Sequence, residues 1–315
     1  MAVTLEILTS AFNEEKGIKA FLDEVVKVLD SHPNYSWKIR ICDNGSTDST
    51  WEIISTEARL DSRIVAYKMV RSFGFDNAIS FALDQATSDV VVTMTSDLQD
   101  PPQVISQFIE SYEQGNNHVV AQVITRKSIS LKRKFLTRTF YFVAGKLTDG
   151  MYPNDVSDFR LMSRLVYSDV RKMREQNRFL RGIVAWTGHK YKTVKIERPA
   201  REYGVSHFES IKLRKVIPWA LSSIFSFTAK PLEFVAFTSM IFSGLTFLFL
   251  LILAGFWITS GVPFAGYGTI VGGVMLLFSI TLLILGIFSL YLNLIFNEIK
   301  GRPLYLVEES TENPK

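Results

Sequence analysis

The sequence predicts an α/β domain built on a doubly wound sheet and joined to two membrane-spanning helices. Three observations predict it. Short β-branched apolar runs alternate with segments of helical spacing from Val3 to Pro102. Each apolar run ends in a polar cluster. From Phe234 to Asn297 there is no Asp, Glu, Lys, Arg or His.

The elements follow in order. Val3 to Leu8 alternates as a strand does, and Thr9 to Glu15 is a polar break. Gly17 to Leu29 places Ile18, Phe21, Leu22, Val25, Val28 and Leu29 on one helical face. Trp37 to Cys42 is a second strand, closed by Asp43-Asn44-Gly45-Ser46-Thr47-Asp48. Ser49 to Leu60 reads as a helix, Ile64 to Met69 as a third strand, Arg71 to Phe75 as a loop and Asp76 to Ala86 as a helix. Val90 to Met94 is the fourth strand, which Pro101 and Pro102 forbid to continue. This alternation predicts a parallel sheet with its polar clusters gathered along one edge, where open α/β sheets bind ligands.

That edge carries the candidate chemistry. Asp97 and Gln99 lie just past the fourth strand, and their oxygens can share a Mg²⁺ or Mn²⁺ ion beside substrate phosphates. The same turn reads equally well as an acidic cap on the helix starting near Gln103. Asp43 faces the same crevice, where a strand-end carboxylate accepts hydrogen bonds from a ribose or base. Asp48 reads better as a helix cap.

The uncharged run is long enough for two spans of ~20 residues each. Ser260 to Pro263 and Gly266 to Gly268 break it, giving spans at about 232–259 and 268–296. The loop between them has no Lys or Arg, whereas Lys230, Lys300 and Arg302 flank the pair. The positive-inside rule then puts both termini in the cytoplasm, at an inner (cytoplasmic) membrane. Met1 to Ser10 lacks the basic region of a signal peptide, and the single Cys42 fits a reducing compartment and a core position. Ile211 to Thr228 mixes Lys212, Arg214 and Lys215 with Leu213, Trp219 and Phe225, as an amphipathic helix in the interface does. The division is therefore a catalytic-type domain over 1–209, an interfacial helix over 210–229, two spans within 230–297 and a cytoplasmic tail over 298–315. Thr125 to Tyr141 holds six basic residues and no acid, which reads as a face lying against anionic lipid. With a net charge of only +4, and the bases crowded towards the membrane segment, nucleic acid is not expected as a partner.

Four motifs in this order and spacing, TSAFNEE, DNGSTDST, RSFGFDNAI and SDLQDPP, resemble the nucleotide-binding half of glycosyltransferase family two. The likeness continues through DVSDFRLM, NRFLRG and RPAREYGVSHF into the two spans. This is similar to the polyprenyl-phosphate glycosyltransferases, which include the dolichyl-phosphate mannose synthases and the bactoprenol glucosyltransferases. The resemblance implies a GT-A (Rossmann-like) fold, a UDP-sugar donor, Mg²⁺ or Mn²⁺ and a polyprenyl (undecaprenyl) phosphate acceptor in the bilayer. A homo-oligomer, a flippase and a downstream membrane glycosyltransferase are further candidate partners.

Residue by residue, the resemblance gives Ser10, Phe12, Glu14, Asp43 and Arg71 to the donor nucleotide, and Asp97 and Gln99 to the cation. Arg201 and Ser206, with Arg198, match the loop that holds the donor diphosphate. Arg126, Arg133 and Thr137 match positions that bind the acceptor phosphate. Asp158 aligns with the acid beside the reactive carbon, as a base or as an orienting group, and its plain alternative is a salt bridge with Arg160 or Arg164. Asp97, Asp158 and Arg201 are thus the expected catalytic set. One position departs: the family usually has Asp where this chain has Thr95. The Q-x-x-R-W motif of processive synthases is absent, Asn177 to Gly182 standing in its place. Glucose is the expected sugar. GDP-mannose, UDP-GlcNAc or a UDP-aminoarabinose derivative as donor, and a non-enzymatic nucleotide-binding membrane protein, stay open.

Overall fold

The computed structural model describes residues 2–126, 156–176, 178–199 and 266–312, together with Phe237, Thr238, Ile241, Leu245, Leu248, Ile252 and Thr259. The interfacial helix expected over 210–229 and nearly all of the first expected span lie outside the described residues.

The first half follows the predicted alternation: β1 (Val3–Ala11), α1 (Ile18–Asp30), β2 (Tyr35–Asp43), α2 (Thr50–Leu60), β3 (Ile64–Met69), α3 (Phe75–Gln85), β4 (Val90–Thr93) and α4 (Val104–Glu113). After it come β5 (His118–Arg126), β6 (Val156–Ser163), α5 (Arg164–Lys172), α6 (Leu180–Trp186) and β7 (Lys192–Arg198). Last are α7 (Tyr267–Ile299) and β8 (Val307–Ser310). The eight strands form one sheet in the order β7-β5-β6-β4-β1-β2-β3-β8.

The expectation of a parallel sheet is corrected to a mixed one. β1 to β4 are parallel, but β6 runs antiparallel to both β4 and β5, and β8 antiparallel to β3. The cause is local. The chain re-enters the sheet at Val156 beside β4, so Asp158 near the start of β6 comes to the carboxyl end of β4, with Arg160 opposite Thr93. The mixed register therefore delivers Asp158 to the edge where β4 ends.

The segment read as a tail carries a strand of its own. Residues 307–310 add an edge strand to the sheet, and Arg302–Lys315 group with Met1–Pro218 in one compact unit, while Trp219–Gly301 form another. Thr311 seals the junction, donating its N–H to Ala66 O at 2.9 Å, while its Oγ1 accepts from Ala66 N–H at 2.9 Å.

The two faces of the sheet differ. One is packed with Leu5, Ile7, Ile39, Ile41, Val90, Val92, Phe159 and Leu161 against Phe21, Leu22, Val25, Ile54, Ile105 and Phe108 of α1, α2 and α4. Truncating such a ring, as in Phe21→Ala, costs about 3–5 kcal/mol. The alternate positions carry buried charge and imidazole: Glu6, Arg40, His118 and Arg160 are each under 4% exposed. Cys42 is fully buried, as expected of a core residue.

No helix made of described residues is long and apolar enough to cross a membrane, and the side chains of α7 are described only in part. α7 is nonetheless continuous over 33 residues where the second span was expected.

Candidate active site

Two turns are locked together at the carboxyl ends of β1 and β2. Asn13, with φ of 55°, donates its N–H to Ser46 Oγ at 3.0 Å and accepts from Thr47 N–H at 2.8 Å. Glu14, 8% exposed, donates its N–H to Thr50 Oγ1 at 2.8 Å. Asp48 accepts from Thr50 N–H, at the start of α2, at 3.0 Å, while Ser49 holds the N-cap position itself. Gly45 has φ of +74°, and a Cβ there would lie 2.5 Å from both Arg71 C and Ser72 N. Only glycine lets the loop after β2 touch the loop after β3. Asn44 Oδ1 then accepts from Phe73 N–H at 2.9 Å, and Arg71, exposed, stacks its guanidinium 4.2 Å from the Phe73 ring.

Asp43 lies under this junction, fully buried. Its Oδ1 accepts from Ser46 N–H at 3.2 Å, and its Oδ2 has no hydrogen-bond partner among the described residues. Burial pushes its carboxyl up from the ordinary value. Ser10, on the adjoining strand, accepts a hydrogen bond from Ser96 Oγ at its carbonyl, 2.9 Å away, which ties β1 to the turn after β4. Phe12 is half-buried beside it in sequence.

The turn after β4 is built on carboxylates. Leu98 has φ of 58°, left-handed backbone that a branched side chain rarely adopts, and Gln99 N–H thereby returns to Asp97 Oδ1 at 3.2 Å. Thr95 Oγ1 lies 2.8 Å from Asp97 Oδ1 and 2.9 Å from Asp100 Oδ2. Asp100 is fully buried, accepts from Thr95 N–H at 3.0 Å and pairs with Arg198 at 2.7 Å. Thr95 therefore bridges two acids where a third carboxylate would repel both. Arg198, which the resemblance assigns to the donor-diphosphate loop, pairs with Asp100. Asp97 keeps Oδ2 without a hydrogen bond among the described residues. No cluster of three or more His, Cys, Asp or Glu able to hold a metal occurs among the described residues.

Asp158 sits on the neighbouring strand, with its side chain 28% exposed. Arg181 Nε and Nη2 donate to its two oxygens at 3.1 and 2.6 Å, and Arg160 Nη2 lies 3.7 Å away. Of the two arginines expected from sequence as ion partners, Arg160 is thus peripheral, and Arg164 pairs with Asp89 instead at 3.3 Å. Burial opposes ionisation of Asp158, but Arg181, Arg160 and Arg198 outweigh it and hold the carboxyl below its ordinary value. Asp76, at the start of α3, accepts from Leu180 N–H at 3.2 Å. Burial and the charge of Asp158 push its carboxyl up to about 7.

Arg181, Asp76 and Asp100 carried no assigned role in the sequence reading. The residues stood inside quoted motifs, but nothing in their spacing shows that Arg181, 23 positions from Asp158, folds back onto it. Arg126 ends β5 opposite Arg198 of β7. Arg133, Thr137, Arg201 and Ser206 lie outside the described residues.

Comparison with known proteins identifies the family. The model of the family "Glycosyl transferase family 2" matches residues 6–171. The uncharacterized glycosyltransferase YkcC of Bacillus subtilis (strain 168) is 30% identical over 98% of this chain and 94% of its own. The bactoprenol glucosyl transferase of Shigella phage SfII is 30% identical over 97% of this chain and 98% of its own. Among solved structures, mannosyl-3-phosphoglycerate synthase from Rubrobacter xylanophilus is similar at a TM-score of 0.49 and 14% identity, over 73% of this chain and 74% of that one. With the family matched over more than half its length and relatives aligned nearly end to end, this chain is a glycosyltransferase and belongs to glycosyl transferase family 2.

Proposed function

We propose that the enzyme transfers a hexose, glucose from UDP-glucose, to polyprenyl phosphate at the cytoplasmic face of a membrane, inverting the anomeric centre. The observation that supports this best is the near full-length similarity to a bactoprenol glucosyl transferase, which extends past the sheet through the long uncharged segment. That segment and the helix α7 would anchor the chain in the inner membrane, with catalytic domain and termini on the cytoplasmic side.

In this reading Asp43, with one carboxylate oxygen unpartnered, receives hydrogen bonds from the nucleoside, framed by Ser10 on β1 and by the interlocked loops carrying Phe12, Glu14 and Arg71. Asp97 offers one free oxygen and Gln99 an amide, a donor set that suits Mg²⁺ or Mn²⁺ completed by donor phosphates. The ion, when bound, would neutralise charge on the departing nucleotide. Arg201 and Ser206 would hold the donor diphosphate, and Arg126, Arg133 and Thr137 the acceptor phosphate. A phosphate monoester, with its second pKa near ~6, is already a nucleophile at neutral pH. Asp158, pinned by Arg181, would orient the acceptor against the sugar, and orientation alone supplies much of the rate.

The test is to incubate the purified protein in detergent with undecaprenyl phosphate and a panel of labelled nucleotide sugars. The expected product is β-linked polyprenyl phosphate glucose, formed from UDP-glucose. No lipid-linked product with any donor would overturn the lipid acceptor, and product only from GDP-mannose or UDP-GlcNAc would overturn the sugar.

A further inference from the structure

A cavity of about 520 Å³ lies beneath α6, between that helix and strands β5 and β6. Arg160 and Arg181 line it, with His118, Lys190 and Tyr191. It reaches well away from the nucleotide edge: His118 opens β5 and faces Met162, at the end of β6 far from Asp158.

Two of its polar groups are deeply buried. His118 is 3% exposed, and its ring nitrogens meet only the backbone of His189, with no side-chain hydrogen bond among the described residues. Arg160 is also 3% exposed; its Nη2 donates to Ser157 O at 3.0 Å and lies 3.7 Å from Asp158. Buried polar atoms are nearly always satisfied, and leaving one bare costs about 1–3 kcal/mol. An apolar occupant would leave the imidazole without its full set of partners. The volume is far more than one bridging water requires.

The chemistry of the lining selects the ligand. Arg160, Arg181 and Lys190 outnumber the one carboxylate, Asp158, that pairs with them. Burial, with Arg160 and His189 nearby, pushes His118 down to about 3, so its ring is neutral. A neutral imidazole donates from one nitrogen and accepts at the other. The occupant therefore needs anionic oxygens for the guanidinium and an O–H for the imidazole. We propose that this cavity is a binding site for a protonated phosphate-class oxyanion, held by Arg160 and His118. Inorganic phosphate and the phosphate head of a polyprenyl phosphate share that chemistry. Its His118 end lies away from Asp158 along β6, while Arg181 joins the cavity to that carboxylate, so the proposal rests on the function proposed above.

The test uses the full-length protein in detergent at pH 6.5, saturated with UDP so that the donor site is filled. Its histidines, four in the sequence, are ring-labelled with ¹³C for NMR. One arm titrates inorganic phosphate and the other undecaprenyl phosphate. A saturable shift of the His118 signal in either arm supports the site and identifies the source. Sulfate, which carries no proton at this pH, should bind ~10-fold less tightly, the worth of one hydrogen bond. His118→Gln should weaken phosphate binding by a similar factor while UDP affinity holds. Should that variant not fold, Lys190→Ala at the exposed lip should weaken phosphate binding ~3-fold through lost charge. A His118 signal that stays still in both arms, or equal affinity for sulfate and phosphate, would overturn the proposal.

Discussion

Arg181 grips both carboxylate oxygens of Asp158, at 3.1 and 2.6 Å, in a two-pronged pair that joins α6 to β6. The pair bears on the two roles proposed for Asp158. A general base works best with a pKa near the operating pH, and Asp158 is held below its ordinary value. The geometry favours orientation over proton abstraction. Asp158→Asn should therefore keep measurable turnover, with kcat reduced ~10-fold to ~10²-fold rather than abolished, in a pre-steady-state assay of lipid-linked sugar. Arg181→Lys should lose more than its charge suggests, because an ammonium cannot make the bidentate contact. A kcat for Asp158→Asn indistinguishable from background at every pH would restore the base.

The turn after β4 makes a second prediction. Thr95 lies within 2.9 Å of Asp97 and Asp100 and takes the place of the acid common in the family. Thr95→Val removes the hydroxyl at nearly constant volume, leaving buried Asp100 with one fewer donor and Asp97 free to swing. The expected outcome is a several-fold higher Mg²⁺ or Mn²⁺ concentration for half-maximal activity. Thr95→Asp would place three acids together and should lower Tm by several degrees. Activity in wild type should vanish in excess EDTA, and full activity there would remove the cation from the scheme.

Both results bear on what the sequence made legible. The first four strands and the helices between them were readable because each strand is apolar and each helix carries one stripe; α1 buries the six residues whose spacing marked it. The strand-end acids were readable for the same reason, since the strands fix where they fall. The partners were not. Arg181 reaches Asp158 and Arg198 reaches Asp100 through tertiary folding, which no local period encodes. The strand at 307–310 was missed because a four-residue edge strand, exposed throughout, has no apolar alternation to display.

A third prediction concerns pH. Asp76 has its carboxyl pushed up to about 7 by burial and by Asp158, while Arg181 and Arg178 pull the other way. A carboxyl with a raised folded pKa binds its proton more tightly in the native state, so stability falls as pH rises from about 4 to about 7 and stays at the lower level above. Asp76→Asn keeps an oxygen to accept from Leu180 N–H and cannot ionise. It should raise Tm by a few degrees at pH 8 and leave it nearly unchanged at pH 5, by thermal melts of both proteins. A Tm difference independent of pH would mean that Asp76 does not titrate in this window.

The last prediction concerns the C-terminal strand. Glu312 lies 2.9 Å from Arg40, whose guanidinium is 3% exposed and whose Nε donates to Glu6 at 2.7 Å. Tyr67 OH sits between them, bonded to both Arg40 and Glu312. Tyr305 OH also reaches Asp84 Oδ2 at 2.6 Å, and its ring stacks edge-on against Phe81, 4.9 Å between centroids. These contacts fasten 305–312 to the sheet two strands from Asp43, directly beside the loop that carries Arg71, with Val70 N–H donating to Leu306 O at 3.1 Å. Glu312→Ala leaves Arg40 its Glu6 partner, so the loss should be modest, about 1 kcal/mol, because Glu312 is itself 38% exposed. Removing 305–315 strips the pairing on β3 and uncovers Phe81 and the buried guanidinium together. That truncation should lower Tm by much more than the point variant and raise the KM for the nucleotide donor, since Arg71 to Gly74 lose their support. Donor KM unchanged in a truncated protein that still folds would confine the strand to a purely structural part.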